Sequence, residues 1–284
     1  MAGSSPVVKI PLDPDQPFLE AVHETFAACA AVHAQRPKAQ HSEHQYGPHP
    51  RQKLDLFSGA GAGRPLVVFI HGGGFDRGDK SMYANVGTFF VDRGYTAANI
   101  NYRLVGEHGA KYPSGGEDIG LALQWLSSHE SVDASKIFLF GTSAGAFHAS
   151  TYLWKLSSEH ARVAGFLCAN LPAHFRNSDP GRSQTLIAYL GSDPSLVDAI
   201  TMRKASRDTT PCLLLVSDHD LEAEVTKPME ELAEVWPTEP KPERVIMAGH
   251  NHFSPAKALN LGSPLDDWTI PTLAWMKSVE NGGR

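Results

Sequence analysis

The chain has 284 residues, 42% of them hydrophobic and 20% charged, with 25 glycines and 20 prolines, enough to bury a large core and too apolar for a disordered chain. Its 25 Lys and Arg against 31 Asp and Glu leave a formal charge of −6 without a basic stripe, which argues against nucleic acid or a membrane surface as a partner. No repeating Gly-X-Y pattern or sustained heptad is present, so collagen and coiled-coil architectures are excluded.

The opening MAGSSPVVKIPLDPDQ has neither the basic nor the apolar region of a signal peptide. No apolar run approaches the ~20 residues that span a bilayer. These features point to a soluble, cytoplasmic protein. Cys29, Cys168 and Cys212 are widely spaced with no CxxC, as expected of buried free thiols in a reducing compartment, and they offer no structural zinc site. In segment 16–34, Phe18, Leu19, Val22, Phe26, Ala30 and Val32 recur at helical spacing, with Asp13 and Asp15 available as caps. Residues 1–45 thus read as an N-terminal flap ahead of the main domain. Residues 36–53 read as a loop or edge strand, and His41, His44 and His49 there share no metal-ligand face, so they are expected to be solvated.

From residue 54 the pattern becomes regular. Apolar, β-rich runs at 54–57, 66–71, 95–101, 137–141, 163–169, 211–217 and 243–248 alternate with helical stretches at 80–92, 116–129, 144–157, 222–235 and 267–279. Such alternation predicts βαβ units around a mostly parallel sheet, and strands without in–out alternation predict a sheet covered on both faces. Residues 170–210 break the rhythm with polar, Pro-containing sequence and read as a small lid insertion within a single domain, 1–284.

Two motifs carry chemistry. Gly141-Thr142-Ser143-Ala144-Gly145 lies between the strand run IFLF and the helical run AFHASTYLWKL. A G-x-S-x-G in that setting is a nucleophile elbow, in which small flanking residues let a tight turn lift the serine oxygen above a helix N-terminus. Upstream, His71-Gly72-Gly73-Gly74-Phe75 ends the strand run LVVFI, and its bare backbone lets N–H groups converge on an oxyanion. A phosphate-binding turn is disfavoured there, since no Walker lysine follows and the G-x-G-x-x-G spacing is missing. Gly73, Gly74 and Ala144 are therefore the candidate oxyanion-hole donors.

With these motifs and the YRL of residues 102–104, the chain resembles the α/β-hydrolase esterases, in the hormone-sensitive-lipase-like and arylformamidase (kynurenine formamidase)-like branches, from about residue 52 onward. The resemblance implies an α/β-hydrolase fold with a mostly parallel eight-stranded sheet flanked by helices, a Ser-His-Asp triad, and ester hydrolysis without cofactor or metal. The residues after YRL and around Asp220 depart from the lipase branch and lean toward the arylformamidase-like one.

In this fold the acid and then the base follow the serine in the chain. The resemblance places the acid about three residues beyond a late strand, which matches Asp220 in Asp218-His219-Asp220-Leu221-Glu222, with Asp218 in reserve. It places the base immediately before a Phe, which selects His252 in Gly249-His250-Asn251-His252-Phe253. His250 is then a neighbour that shapes the pocket or binds a carbonyl, and His219 is too close to the acid to serve as base. Tyr102, Arg103 and Asp118 are expected to brace neighbouring loops through an Arg–Asp pair. Phe75, Phe147 and His148 are candidate substrate-pocket residues, with Phe18 and Phe26 behind them, although each equally suits packing.

The expected activity is a serine hydrolase cleaving small or aromatic carboxylic esters through an acyl-enzyme. An arylformamidase or other amidase is the alternative, and a non-catalytic ligand receptor on the same fold is the remaining one. A long-chain lipase is disfavoured, because residues 170–210 are too polar for a large apolar lid. The partner is a small-molecule ester or amide, and oligomeric state is left open, a homodimer included.

Overall fold

The computed structural model of the chain describes residues 8–13, 16–58, 63–130, 132–133, 135–156, 163–175, 180–191 and 198–282. Among them, strands β1 (His41–Gln45), β2 (Lys53–Phe57), β3 (Leu66–Ile70), β4 (Thr96–Ile100), β5 (Ile137–Thr142), β6 (Val163–Ala169), β7 (Cys212–His219) and β8 (Glu243–Asn251) form one eight-stranded sheet. Its order is β1-β2-β4-β3-β5-β6-β7-β8; β1 and β2 pair antiparallel at one edge, and every pair from β4 to β8 is parallel. The helices are α1 (Phe18–His33), α2 (Ala84–Val91), α3 (Ser114–Ser127), α4 (Ala144–Thr151), α5 (Pro180–Leu190), α6 (Ala199–Ala205), α7 (Lys227–Glu234), α8 (Ser254–Ala258) and α9 (Thr269–Glu280).

The strand sequences are apolar at consecutive positions because each face of the sheet has its own core. Leu66, Val68 and Ile70 of β3, with Ile137 and Leu139 of β5, join the core that contains α3, α4 and α7 residues. The alternate residues Val67, Phe69, Phe138 and Phe140 join the core with α2 and α9. A period of two thus sends a continuous apolar run to two buried layers. Cys168 and Cys212 lie within the first of these layers, and all three cysteines are free and buried.

Several boundaries differ from the sequence expectation. Helix 80–92 divides into a 3-10 turn, Lys80–Tyr83, and α2, because Asp79 caps Ser81 N–H and Lys80 turns inward to pair with Asp55 at 2.6 Å. Among the described residues, no side chain caps the start of helix α1. Its N-cap is Pro17, whose fixed φ of −55° already begins the turn, and Asp15 lies outside the described residues. The five-residue α8 is too short to show a periodicity. Residues 170–210 contain α5 and α6, and Leu186, Tyr189, Leu190, Ile200 and Met202 from them enter the first core. Helix α1 docks through a small core of its own, Ile10, Cys29 and Val32 against Ala258 and Leu261 beside α8. Among the described residues, no helix is long and apolar enough to cross a membrane.

Candidate active site

Strands β5, β7 and β8 are parallel neighbours or near-neighbours, so the turns at their carboxyl ends open on the same side of the sheet. Ser143 stands at the end of β5, one residue before α4. Its backbone, φ 52° and ψ −122°, lies in a region a non-glycine residue rarely occupies, and its N–H is held by the Ala169 carbonyl at 3.0 Å. The flanking glycines make this turn sterically feasible. A Cβ on Gly145 would lie 2.2 Å from the Ile70 carbonyl oxygen, and one on Gly141 would lie 2.6 Å from Ala146 Cα. The side chain of Ser143 is thereby raised over the N-terminus of α4, where the first-turn N–H groups, Ala144 among them, have no intrahelical acceptor.

The other two residues come from the next turns. Asp220 follows β7 and His252 follows β8, in the order serine, acid, base along the chain. His252 Nε2 lies 2.8 Å from Ser143 Oγ, and His252 Nδ1 lies 2.8 Å from Asp220 Oδ1. The Asp220 side chain has no exposed surface and that of His252 retains 8%. Asp220 Oδ1 also accepts the Leu221 N–H at 2.7 Å, while the buried Oδ2 has no hydrogen-bond partner among the described residues. A carboxylate on Nδ1 fixes the tautomer that leaves Nε2 free to take the serine proton.

The alternatives raised by the sequence lie elsewhere. Asp218 accepts the N–H groups of Gly249 and His250, at 2.9 and 3.1 Å, and so ties β7 to β8. His219 faces Asp218 at 3.8 Å with nearly half of its side chain exposed. His250 is buried, with Nε2 2.8 Å from the Leu265 carbonyl and Nδ1 2.8 Å from Ser254 Oγ, and burial lowers its pKa.

The glycine loop crosses directly over the serine. A Cβ on Gly72 would meet Ser143 Cβ at 3.1 Å, and Gly73 adopts a φ of 141°, with any Cβ 2.0 Å from the Arg77 carbonyl oxygen. Gly74 follows with φ 59°, and among the described residues no backbone acceptor takes the N–H of Gly73 or Gly74. These are the two loop donors that, with Ala144, the sequence singles out. The loop is held from behind by a buried polar network. Tyr102 Oη donates to the His71 carbonyl at 2.8 Å, and the His71 ring stacks on Tyr102 at 4.6 Å. Asn101 Nδ2 donates to Asp79 Oδ2 at 2.6 Å, and Arg51 reaches both Asp79 and the Gly78 carbonyl. Burial drives the His71 pKa down to about 4, so this ring is neutral at ordinary pH.

Of the candidate pocket residues, Phe75, Phe147 and His148 are at most 3% exposed and pack among the aromatic rings below the loop. The reason is the backbone of Phe75, whose positive φ of 75° accompanies a ring stacked on Tyr189 of α5 at 4.8 Å and edge-on to Phe147 and His148. Tyr189 Oη in turn accepts the Gly115 N–H at 3.1 Å and lies 3.2 Å from His148 Nδ1. Burial pushes His148 down to about 3. Phe26 packs edge-on to Tyr83, and the Phe18 side chain lies outside the described residues. The Arg103–Asp118 pair forms at 2.8 Å, with Asp118 fully buried and also accepting from the Arg103 N–H and Gln52 Nε2.

Two asparagines escape a reading based on motifs. Asn170, at φ 48° just after β6, exchanges hydrogen bonds with Ser217 and donates to the His252 carbonyl at 3.2 Å. Asn251 immediately precedes His252 and accepts the Phe253 and Ser254 N–H groups at 2.9 and 3.0 Å. An asparagine directly after an apolar strand is the one local signal of the first, since Asn tolerates left-handed backbone.

The sheet order, the elbow after β5 and the late acid and base define an α/β-hydrolase fold. More particularly, residues 54–173 match the family model described as BD-FAE. The chain is 25% identical over 244 residues, 73% of its length, to an Arabidopsis thaliana protein named as a probable isoprenylcysteine alpha-carbonyl methylesterase. It is 34% identical over 113 residues, 38% of its length, to the carboxylic ester hydrolase LipN of Mycobacterium tuberculosis. It spans only 56% and 29% of the lengths of these two relatives. Esterase B from Lactobacillus rhamnosis, solved with a tributyrin phosphonate inhibitor, superposes with a TM-score of 0.76 at 18% identity, covering 93% of this chain and 94% of that one.

Proposed function

We propose that the protein is a carboxylic ester hydrolase that acts on small or aromatic acyl esters through a covalent serine intermediate. The observation that carries this is the relay from Asp220 through His252 to Ser143, two contacts of 2.8 Å ending at a strained serine below unpaired glycine N–H groups. Ser143 Oγ attacks the acyl carbon while His252 Nε2 takes its proton. The tetrahedral oxyanion is received by the N–H groups of Gly73, Gly74 and Ala144, and loss of one such donor typically costs about 10²–10³ in rate. His252 then passes the proton to the leaving alcohol, and Asp220 steadies the imidazolium throughout. A water activated by the same histidine releases the acid. Every proton is carried by this chain's own residues.

Preference for small acyl groups is supported by the rings beneath the loop. Phe75, Phe147 and Phe175 pack edge to face at 5.4–6.2 Å, so the space below the glycine loop is filled by rings. The test is hydrolysis of p-nitrophenyl esters from acetate to octanoate beside an N-formyl arylamine. Turnover of the short esters, declining with chain length, is the expected outcome. Cleavage of the formyl amide alone would make the protein an amidase, and binding of both without turnover would make it a receptor.

A further inference from the structure

The carboxamide of Asn251 joins the N-terminal segment to the turn that carries His252. Its acceptor half, Oδ1, takes the Phe253 and Ser254 N–H groups and so forms the turn that holds His252. Its donor half, Nδ2, is used up by the N-terminal segment, with 2.9 Å to the Pro11 carbonyl and 3.0 Å to Thr25 Oγ1 on α1. Thr25 has no exposed surface and Asn251 has 7%. A half-turn of the carboxamide would point its NH₂ group at the Phe253 and Ser254 N–H donors and its oxygen at the Pro11 carbonyl, so the present orientation is the one that satisfies its partners.

The same segment is anchored along its length. Lys257 Nζ sits 4.3 Å from the ring centres of both Phe26 and Tyr83, His33 Nε2 lies 2.7 Å from the Lys257 carbonyl, and Arg36 Nη1 donates to the Asn260 carbonyl at 2.8 Å. These contacts hold α1 against α8, while the bonds at Asn251 are where that docking meets the catalytic turn. From this we infer that residues 8–13 and 16–33 act as a strap whose docking fixes the position of His252, with Asn251 and Thr25 as positioning residues. The inference rests on the hydrolase reading for its kinetic consequence, but the coupling itself is structural. With the strap released, Asn251 is free to rotate, the Phe253 and Ser254 amides lose their fixed acceptor, and Nε2 of His252 is no longer held at hydrogen-bond distance from Ser143.

The test replaces Thr25 in the full chain by Val, which keeps the shape and removes the acceptor, and by Ser, which restores it. Two quantities are followed: amide hydrogen exchange of the 249–254 peptide, and kcat for p-nitrophenyl acetate per serine titrated with a fluorophosphonate. Counting titrated serines removes any contribution from misfolded protein. For Thr25→Val, exchange in that peptide is expected to rise about tenfold with β3 and β5 unchanged, kcat to fall about tenfold, and KM to stay within about twofold, with Thr25→Ser near wild type. Unchanged exchange in Thr25→Val overturns the coupling. Faster exchange with unchanged kcat overturns the positioning role. Faster exchange in Thr25→Val, with a wild-type protein that hydrolyses no ester, supports the coupling and removes the hydrolase reading instead.

Discussion

Gly145 lies so close under Ile70 that a Cβ at this position would be 2.2 Å from the Ile70 carbonyl oxygen. The obstacle is backbone of a central strand, which cannot swing away as a side chain can, so the elbow and β3 must separate to admit even one methyl group. Gly145→Ala is expected to destabilise the fold by about 3 kcal/mol, the upper end of overpacking costs, and to move Ser143 away from His252. Urea unfolding measures the first effect, and a variant as stable as wild type would contradict the packing account.

The oxyanion loop leans on Tyr189. Its ring stacks on Phe75 at 4.8 Å, and the hydroxyl is secured by Gly115 and His148. Tyr189→Leu removes the flat partner of Phe75 and is expected to lower kcat by roughly tenfold or more, as a displaced oxyanion donor would. Tyr189→Phe keeps the stack and should retain most of the activity. Equal rates in the two variants would show that the ring does not hold the loop.

Asp118 is a fully buried carboxylate whose charge is answered by Arg103 at 2.8 Å. Removing it leaves the guanidinium, itself three-quarters covered, without its main counter-charge. Breaking such a pair from one side typically costs about 3–5 kcal/mol. Asp118→Ala is expected to lower the urea midpoint accordingly, and a change below about 1 kcal/mol would mean the pair is weak.

Acid should unfold the protein well before its carboxylates are all protonated. Burial holds His71 at about 4 and His148 at about 3, and it lowers His250 and His33 as well. Below the ordinary histidine value of about 6.5 the unfolded chain binds protons that the folded chain refuses, so stability present above that value is lost as pH falls toward 4 and below. Glu43, held at about 2 by Lys80 and Lys53, extends the loss to lower pH. The expected outcome is a urea midpoint that declines steadily between about pH 6.5 and 4.5, and a flat midpoint over that interval would contradict the neutral, buried histidines.

The strands and the elbow are legible in sequence because their signals are local. Consecutive apolar residues such as LVVFI need two buried faces, and the glycines at 141 and 145 sit one turn from each other in a pattern that only a close backbone approach demands. Asp220 and His252 follow from the order of the chain together with the places after a late strand and before a Phe that the resemblance implies. The supports of the site are illegible for the opposite reason. Asn251 meets Thr25 across 226 positions and Asn170 meets Ser217 across 47, and no periodicity or spacing announces a partner so distant. The inward turn of Phe75 is hidden likewise, because a residue beside three glycines reads as a pocket wall until its positive φ and its stack on Tyr189 are seen.

The central claim is that Ser143 Oγ is the nucleophile. Incubating the protein with a fluorophosphonate and mapping the adduct by peptide mass spectrometry tests it most directly, with Ser143→Ala as the parallel sample. The account predicts one phosphonyl group per chain, on the peptide that contains Ser143, with loss of ester turnover in step with labelling. Ser143→Ala should take no label and lose about 10⁴–10⁶ in kcat. Ester turnover that survives full labelling, or an adduct on any other residue, would contradict it.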